Sequence, residues 1–270
     1  MDYIKIKFAD LQPEQKEILI AQLADAGYEG FEETDTGLDA FINKQDFDKS
    51  LLREISYKYQ TPYTSEMITA TNWNKIWESN FDPVVVEDFV AIRADFHKPI
   101  ANTKFEIVIT PKMSFGTGHH ATTYMMIQLM KAIDFTNKSV LDFGTGTGIL
   151  AILAIKSGAE NVCAIDNDEW SIANAAENFN KNDCKKIVLK KAPNALSDMN
   201  FDIVLANVNK SVILQNLNTW RDQLKMGGSL LLSGLLETEK NQILEKAKQL
   251  NLSLERTLVR NSWIAIQLSK

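Results

Sequence analysis

The chain has 270 residues, 45% of them hydrophobic, enough for one good-sized core and a small companion domain. No uninterrupted apolar run is long enough to span a bilayer, and the start, Met1-Asp2-Tyr3, has neither the basic region nor the apolar core of a signal peptide. These features predict a cytoplasmic protein without a membrane partner, and a net charge of −6 argues against direct nucleic-acid binding. The charge is uneven: residues 1–80 hold 8 basic and 15 acidic side chains, whereas residues 81–270 hold 21 and 20. An acidic module on a near-neutral body suits a basic partner, although a solvated surface explains it as well.

Residues 3–8 alternate as a half-buried strand does. Asp10 precedes a helix with Pro13 near its first turn, an apolar face of Ile18, Leu19, Leu23 and Ala26, and Gly27 as its stop. Residues 28–31 and 38–42 flank an acidic turn and read as a hairpin. Residues 47–59 carry a second helical pattern, and residues 63–69 form a closing strand. This order predicts a small α+β, ferredoxin-like domain over residues 1–70. A linker helix is expected within residues 71–82, where Trp73, Trp77 and Phe81 share one helical face and pack against a domain or touch substrate. Residues 83–270 form the second domain, opening with strands at 84–86, 89–92 and 105–109.

The segment Phe115-Gly116-Thr117-Gly118-His119-His120-Ala121-Thr122-Thr123 is a polar, glycine-containing loop that enters a helical pattern starting at Tyr124. Such a loop can wrap a ligand carboxylate or cover a site; otherwise Thr122 or Thr123 simply caps the helix.

The most informative stretch follows. A short strand, Val140-Leu141-Asp142-Phe143, turns through Gly144, Gly146 and Gly148 into a helix, 149–155, that is apolar on every side. Glycines let the backbone approach a ligand with no Cβ in the way, and the helix directs its N-terminus at that ligand. The next strand, 162–165, ends in Asp166, 22 positions beyond Gly144, where an acid can accept hydrogen bonds from both ribose hydroxyls. A dinucleotide loop reads G-x-G-x-x-G; here the third glycine comes one place early and Ile149 holds the expected position. Asp142 places a carboxylate before the loop, which repels phosphate and welcomes an ammonium group. S-adenosylmethionine carries an ammonium and a sulfonium but no phosphate.

Beyond Asp168 the pattern gives a helix at 169–179 and strands at 187–189 and 201–205, the latter running into Ala206-Asn207. Residues just past a strand's carboxyl end near a topological switch face the ligand crevice, so Asn207 is placed to accept a hydrogen bond from a target amine. Stabilising a turn is its ordinary alternative. A helix at 212–224, a turn at Gly227-Gly228, a strand at 229–233, a helix at 237–250 and a strand at 263–268 complete the alternation. The alternation therefore predicts an α/β fold, a seven-stranded doubly wound sheet preceded by the small α+β ferredoxin-like domain, and the resemblance described next implies that this is the methyltransferase sheet. Cys163 falls in a predicted buried strand and Cys184 in a polar loop, which argues against a disulfide, and the three histidines form no metal set.

Asn72-Trp73 with Trp77, the 115–123 loop, the glycine loop, Ala206-Asn207 and the Leu-Ser-Gly core within 230–235 together resemble the PrmA-type ribosomal protein L-eleven methyltransferases over most of residues 70–236. The FGTG-x-H-x-TT pattern is far more specific than the glycine loop. The resemblance implies a protein N-methyltransferase that transfers methyl groups from S-adenosylmethionine to lysine side-chain or N-terminal amines of ribosomal protein L-eleven, a basic substrate held by the acidic N-terminal domain. It implies cofactor contacts at Thr123, Gly144, Asp166 and Asn207, with Phe115, Gly116, Thr117, Gly118 and His120 closing over the methionine end. Asp142 and Gly146 belong to the same site, and Asn207 is the expected catalytic residue. Pro111-Lys112, Thr145, Thr147 and the segment Val208-Asn209-Lys210 depart from the family's usual residues. Two other classes compete, a nicotinamide-dependent oxidoreductase and a binding protein that uses the fold without chemistry. Within the methyltransferases, another protein or a small-molecule amine is the alternative acceptor.

Overall fold

The computed structural model describes residues 2–34, 36–68, 82–111, 118–193 and 199–270. The chain forms two compact units, Met1–Asn80 and Phe81–Lys270. The expected linker helix, with Trp73, Trp77 and Phe81, lies outside the described residues.

The first unit runs β1 (Tyr3–Phe8), α1 (Pro13–Asp25), β2 (Gly30–Glu33), β3 (Leu38–Asn43), α2 (Lys49–Tyr59) and β4 (Tyr63–Ile68). Its antiparallel sheet has the order β2-β3-β1-β4, the ferredoxin-like arrangement. Alternation in β1 sends Ile6 and Phe8 into a core with Leu19 and Leu23 of α1 and Leu52 and Ile55 of α2. Lys5 and Lys7, on the opposite parity, pair with Asp39 and Glu66. The α2 helix starts where the Asp48 carboxylate accepts hydrogen bonds from the amides of Ser50 and Leu51, at 2.7 and 3.2 Å.

In the second unit β5 (Val84–Val86), β6 (Val90–Ala94) and β7 (Phe105–Ile109) form a three-stranded sheet in that order. The helix α3 (Ala121–Lys131) leads to a seven-stranded sheet made of β8 (Ser139–Phe143), β9 (Asn161–Asp166), β10 (Ile187–Lys191), β11 (Phe201–Asn207), β12 (Leu224–Leu236), β13 (Ser253–Arg260) and β14 (Trp263–Ser269). Interleaved are α4 (Ile149–Lys156), α5 (Glu169–Lys181), α6 (Lys210–Gln223) and α7 (Lys240–Gln249). The order is β10-β9-β8-β11-β12-β14-β13, parallel except for β14, which runs antiparallel to both neighbours.

Alternate residues sort onto two faces. Val140, Val162, Ala164, Ile203 and Leu205 join the core shared with α3, α4 and α5, whereas Leu141, Phe143, Ile165, Val204 and Ala206 join the core shared with α6 and α7. The all-round apolarity of α4 has a direct cause: it packs on β8 and β9 and also on β7, so Ile149 through Ala154 are all buried.

Several sequence expectations need correction. The edge strand β13 was not predicted; most of its residues are exposed, so no core-facing alternation marks it. Cys184 lies in the polar loop between α5 and β10 as expected, but its thiol is buried, because its amide closes onto the Phe179 carbonyl at the end of α5; both cysteines are free. The helix expected at Tyr124 starts at Ala121, and the one expected at 237 opens with a 3-10 turn, Glu237–Glu239.

Candidate active site

The chain leaves β8 through the glycine loop, moves outward to β9 and β10, then returns to the other side of β8 as β11. The order therefore reverses between β8 and β11, and the crevice of an open α/β sheet lies at the carboxyl ends of such a pair. Gly144 follows one of these strands and Asn207 ends the other.

Gly144, Gly146 and Gly148 all sit in the left-handed region, with φ of +71°, +53° and +83°. A side chain at Gly144 would be strained and would also collide, since its Cβ would lie 2.4 Å from Cγ1 of Val208. The loop is pinned to β9: the amides of Gly144 and Thr145 donate to the Ile165 carbonyl at 2.8 and 3.0 Å, and the Gly146 amide donates to Asp166 Oδ2 at 2.9 Å. The other Asp166 oxygen accepts from the Asp168 amide at 3.0 Å. Among the described residues each oxygen accepts one hydrogen bond, which fixes the carboxylate at the strand tip and leaves each oxygen a further lone pair.

Asp142 shares the face of Val140, the face that α4 covers, and is only 1% exposed. Its Oδ2 accepts a hydrogen bond from the Thr145 hydroxyl at 2.6 Å, while buried Oδ1 has no hydrogen-bond partner among the described residues. Burial pushes its pKa up to about 7; the Thr145 hydroxyl and the Ala151 amide in the first turn of α4 draw it down, and the charge of Asp166 adds to the rise.

On the same face, α3 delivers Thr123, 3% exposed, to Asn207. Asn207 Nδ2 donates to Thr123 Oγ1 at 3.2 Å across 84 residues of sequence. Thr123 and Asn207 are thus brought together, as are Gly144, Gly146 and Asp166, and the packing of Val208 against Gly144 links the two groups. Neither threonine caps α3. That role falls to His120, whose Nδ1 accepts from the Thr122 amide at 3.3 Å and lies 2.7 Å from the Thr122 hydroxyl oxygen. The His120 ring also packs edge-on against Trp263, with centroids 4.7 Å apart. Gly118, at φ +93°, lies against Val84 and Ile92. Phe115, Gly116 and Thr117 lie outside the described residues.

Two features escaped the sequence reading. Val208 is held on its other side by Gly234, whose Cβ would lie 2.3 Å from the Val208 carbonyl oxygen. Asn174, Asn178 and Asn182 form a ladder along α5 that satisfies the open edge of β7. Asn182 bonds both backbone groups of Val108, and Asn174 and Asn178 take the carbonyl and the amide of Thr110. Asn178 also donates to the Thr147 carbonyl of the glycine loop at 2.8 Å. Asparagines at four-residue spacing on one helix were the available signal. The departure at residues 208–210 also has a local role: Asn209 caps α6 by accepting from the Val212 amide at 3.0 Å, and Lys210 pairs with Glu239.

This sheet order and this crevice define the class I methyltransferase fold. The family model described as ribosomal protein L11 methyltransferase (PrmA) matches residues 5–270, and the chain belongs to that family. It is 39% identical over 259 residues to the ribosomal protein L11 methyltransferase of Porphyromonas gingivalis, covering 93% of this chain and 89% of that one. It is 34% identical to that of Phocaeicola vulgatus, covering 99% of each. The crystal structure of a ribosomal protein L11 methylase from Lactobacillus delbrueckii subsp. bulgaricus superposes with a TM-score of 0.66 at 26% identity, covering 70% of this chain and 99% of that one.

Proposed function

We infer that this protein carries methyl groups from S-adenosylmethionine to lysine side-chain or N-terminal amines of ribosomal protein L11, with Asn207 as the residue that aligns the amine. The observation that carries this reading is the Asn207–Thr123 hydrogen bond beside the glycine loop, because it engages Nδ2 and leaves Oδ1 as an acceptor at the crevice. The residues fit the cofactor. Asp166 holds lone pairs for a ribose, and Asp142 has a buried oxygen without a partner among the described residues. Ile149, buried where a dinucleotide loop needs its third glycine, argues against the oxidoreductase reading.

When bound, the cofactor supplies a sulfonium methyl group whose carbon–sulfur bond breaks as the carbon–nitrogen bond forms. Asn207 Oδ1 accepts a hydrogen bond from the amine and so aims its lone pair. A lysine ammonium, with a reference pKa of about 10.4, loses its proton to water before attack; desolvation in the crevice and a neighbouring positive charge both favour that loss. Asn207 then contributes chiefly by positioning, and Thr123 holds Asn207. A polar aligner on one side tolerates the larger nitrogen of a partly methylated amine. The acidic first unit, with 15 acidic against 8 basic side chains in residues 1–80, suits a basic protein substrate, and such a substrate implies a cytoplasmic enzyme.

The test is mass spectrometry of purified L11 from the same source after incubation with the protein and S-adenosylmethionine. Mass gains in steps of one methyl group are expected, and Asn207→Ala abolishes them. No gain with cofactor binding intact would point to a different acceptor. Full methylation by the variant would remove Asn207 from the mechanism.

A further inference from the structure

Helix α5 meets the glycine loop with two consecutive residues. The Phe179 ring fills the space where a Cβ on Gly148 would stand, and Asn178 Nδ2 donates to the Thr147 carbonyl at 2.8 Å. The Gly148 amide, on the other side of the same peptide, donates to the Thr145 carbonyl at 2.8 Å. The Thr147–Gly148 peptide plane is therefore held at both ends. It needs that hold, because Gly148 stands at φ +83° and a glycine passes between positive and negative φ at little steric cost, so a plane beside it can turn over. Gly148 is also the N-cap of α4, so this plane sets how the loop enters the helix that points at the crevice.

Asn178 is built to hold one orientation. The Thr110 amide donates to Asn178 Oδ1 at 2.8 Å, Asn178 Nδ2 donates to Asn174 Oδ1 at 2.9 Å, and Asn174 Nδ2 donates to the Thr110 carbonyl at 3.2 Å. This closed ring occupies the Asn178 acceptor and one of its two amide hydrogens, and it directs the second hydrogen at Thr147. The main-chain partners at the two ends have fixed polarity, so the side-chain amide cannot be reversed. Asn178 and Asn174 are buried, 0% and 1% exposed. Asn182, one turn further on, makes an equally full set with both backbone groups of Val108 and the carbonyl of Asn178, yet among the described residues none of its hydrogen bonds reaches the loop. The bond to Thr147 is thus an addition to what bracing β7 requires.

We propose that Asn178, oriented by Asn174, is a positioning residue for the cofactor: it fixes the Thr147–Gly148 peptide and so holds the glycine loop in the shape that receives S-adenosylmethionine. The inference rests on the cofactor reading above. A loop already in its binding shape loses none of the ligand's binding free energy to ordering. Without the donor the plane turns over in part of the population, and affinity falls with the fraction that stays competent.

The test is calorimetric titration of the full-length protein with S-adenosylhomocysteine, with urea unfolding of each variant alongside. Asn178→Ala should weaken binding about tenfold, Asn174→Ala about threefold and Asn182→Ala less than about twofold, although each removes buried hydrogen bonds and lowers stability. Amide exchange at Gly148 should speed up in Asn178→Ala and stay slow in Asn182→Ala. A purely structural role would weaken binding in step with stability in all three variants. Full affinity in Asn178→Ala, or equal losses in Asn178→Ala and Asn182→Ala, would overturn this proposal alone. If Asn178→Ala does not fold, the comparison of Asn174→Ala with Asn182→Ala decides: the expected gap supports the proposal, and equal affinities overturn it. Failure of S-adenosylhomocysteine to bind the unaltered protein would overturn the cofactor reading and this proposal with it.

Discussion

The glycine loop makes a quantitative demand at Gly144. Its φ of +71° costs an alanine about 1–2 kcal/mol. The new Cβ would also lie 2.4 Å from Val208 Cγ1, well inside van der Waals contact. Val208 has little room to yield, because its carbonyl already lies against Gly234 on the far side. Overpacking of this kind adds about 1–3 kcal/mol, so Gly144→Ala is expected to lose about 2–5 kcal/mol in all. The two terms separate experimentally. Val208→Ala removes the colliding methyl, so the same substitution in that background should cost only the backbone term, about 1–2 kcal/mol. Urea unfolding of the four proteins in the cycle, followed by circular dichroism, measures the difference. An equal cost in both backgrounds would refute the collision, and a cost well below about 1 kcal/mol would refute the left-handed geometry itself.

Asn178 is fully buried, and Asn178→Ala would remove its hydrogen bonds to the Thr110 amide and the Thr147 carbonyl. A loss of about 2–4 kcal/mol and faster amide exchange at Thr110 are expected, measured by urea unfolding and hydrogen exchange. Asp202 sets a pH dependence. Burial alone would raise its pKa, but the Lys225 ammonium and the hydroxyl and amide of Ser139 outweigh it and hold the carboxyl below the usual range. A depressed folded pKa gives stability that is present above the unfolded value of about 3.9 and lost as pH falls below it. Asp202→Asn should therefore cost about 1–2 kcal/mol at neutral pH, and the gap from the unaltered protein should close in titrations carried below about pH 4. The β13–β14 hairpin turns through Asn261 and Ser262 at φ +49° and +63°, a pair of left-handed residues that favours glycine at the second place. Ser262→Gly should raise stability by about 0.5–1 kcal/mol, read as a higher unfolding midpoint; a lower midpoint would contradict the turn geometry.

Where a segment has one face in water and one in a core, the sequence announces it. The β1 alternation and the α1 and α2 faces give the first unit element by element, because Ile6, Phe8, Leu19, Leu23, Leu52 and Ile55 all meet in one core. The strand β13 breaks that condition: as an edge strand with Leu254 and Val259 both exposed, it shows no period. The cap of α3 was misread for a related reason. Sequence preference favours the hydroxyl of a threonine, yet the neighbouring His120 ring is held in place by Trp263, which comes from the far end of the chain.

The site was legible by its punctuation and illegible in its packing. Glycines, an acid at a strand end and an asparagine at another strand end are local signals, and they single out Gly144, Asp166 and Asn207 as candidates without knowledge of neighbours. What makes them one site is non-local. Asn207 reaches Thr123 because both lie on the α3 side of the sheet, where residues of odd number in β11 point. Its main chain is fixed by the next residue, since Val208 donates its amide to Ser233 and is gripped between Gly144 and Gly234. The glycine at the end of β8 therefore serves two ends at once. It opens the backbone to a ligand, and it makes room for the side chain that sets the residue beside that ligand. A substitution at Gly144 should disturb cofactor affinity and amine alignment together, whereas one at Gly234 should disturb alignment with less effect on cofactor affinity. That asymmetry, measured as separate changes in S-adenosylhomocysteine binding and in methylation rate, distinguishes a shared architectural wedge from two independent contacts.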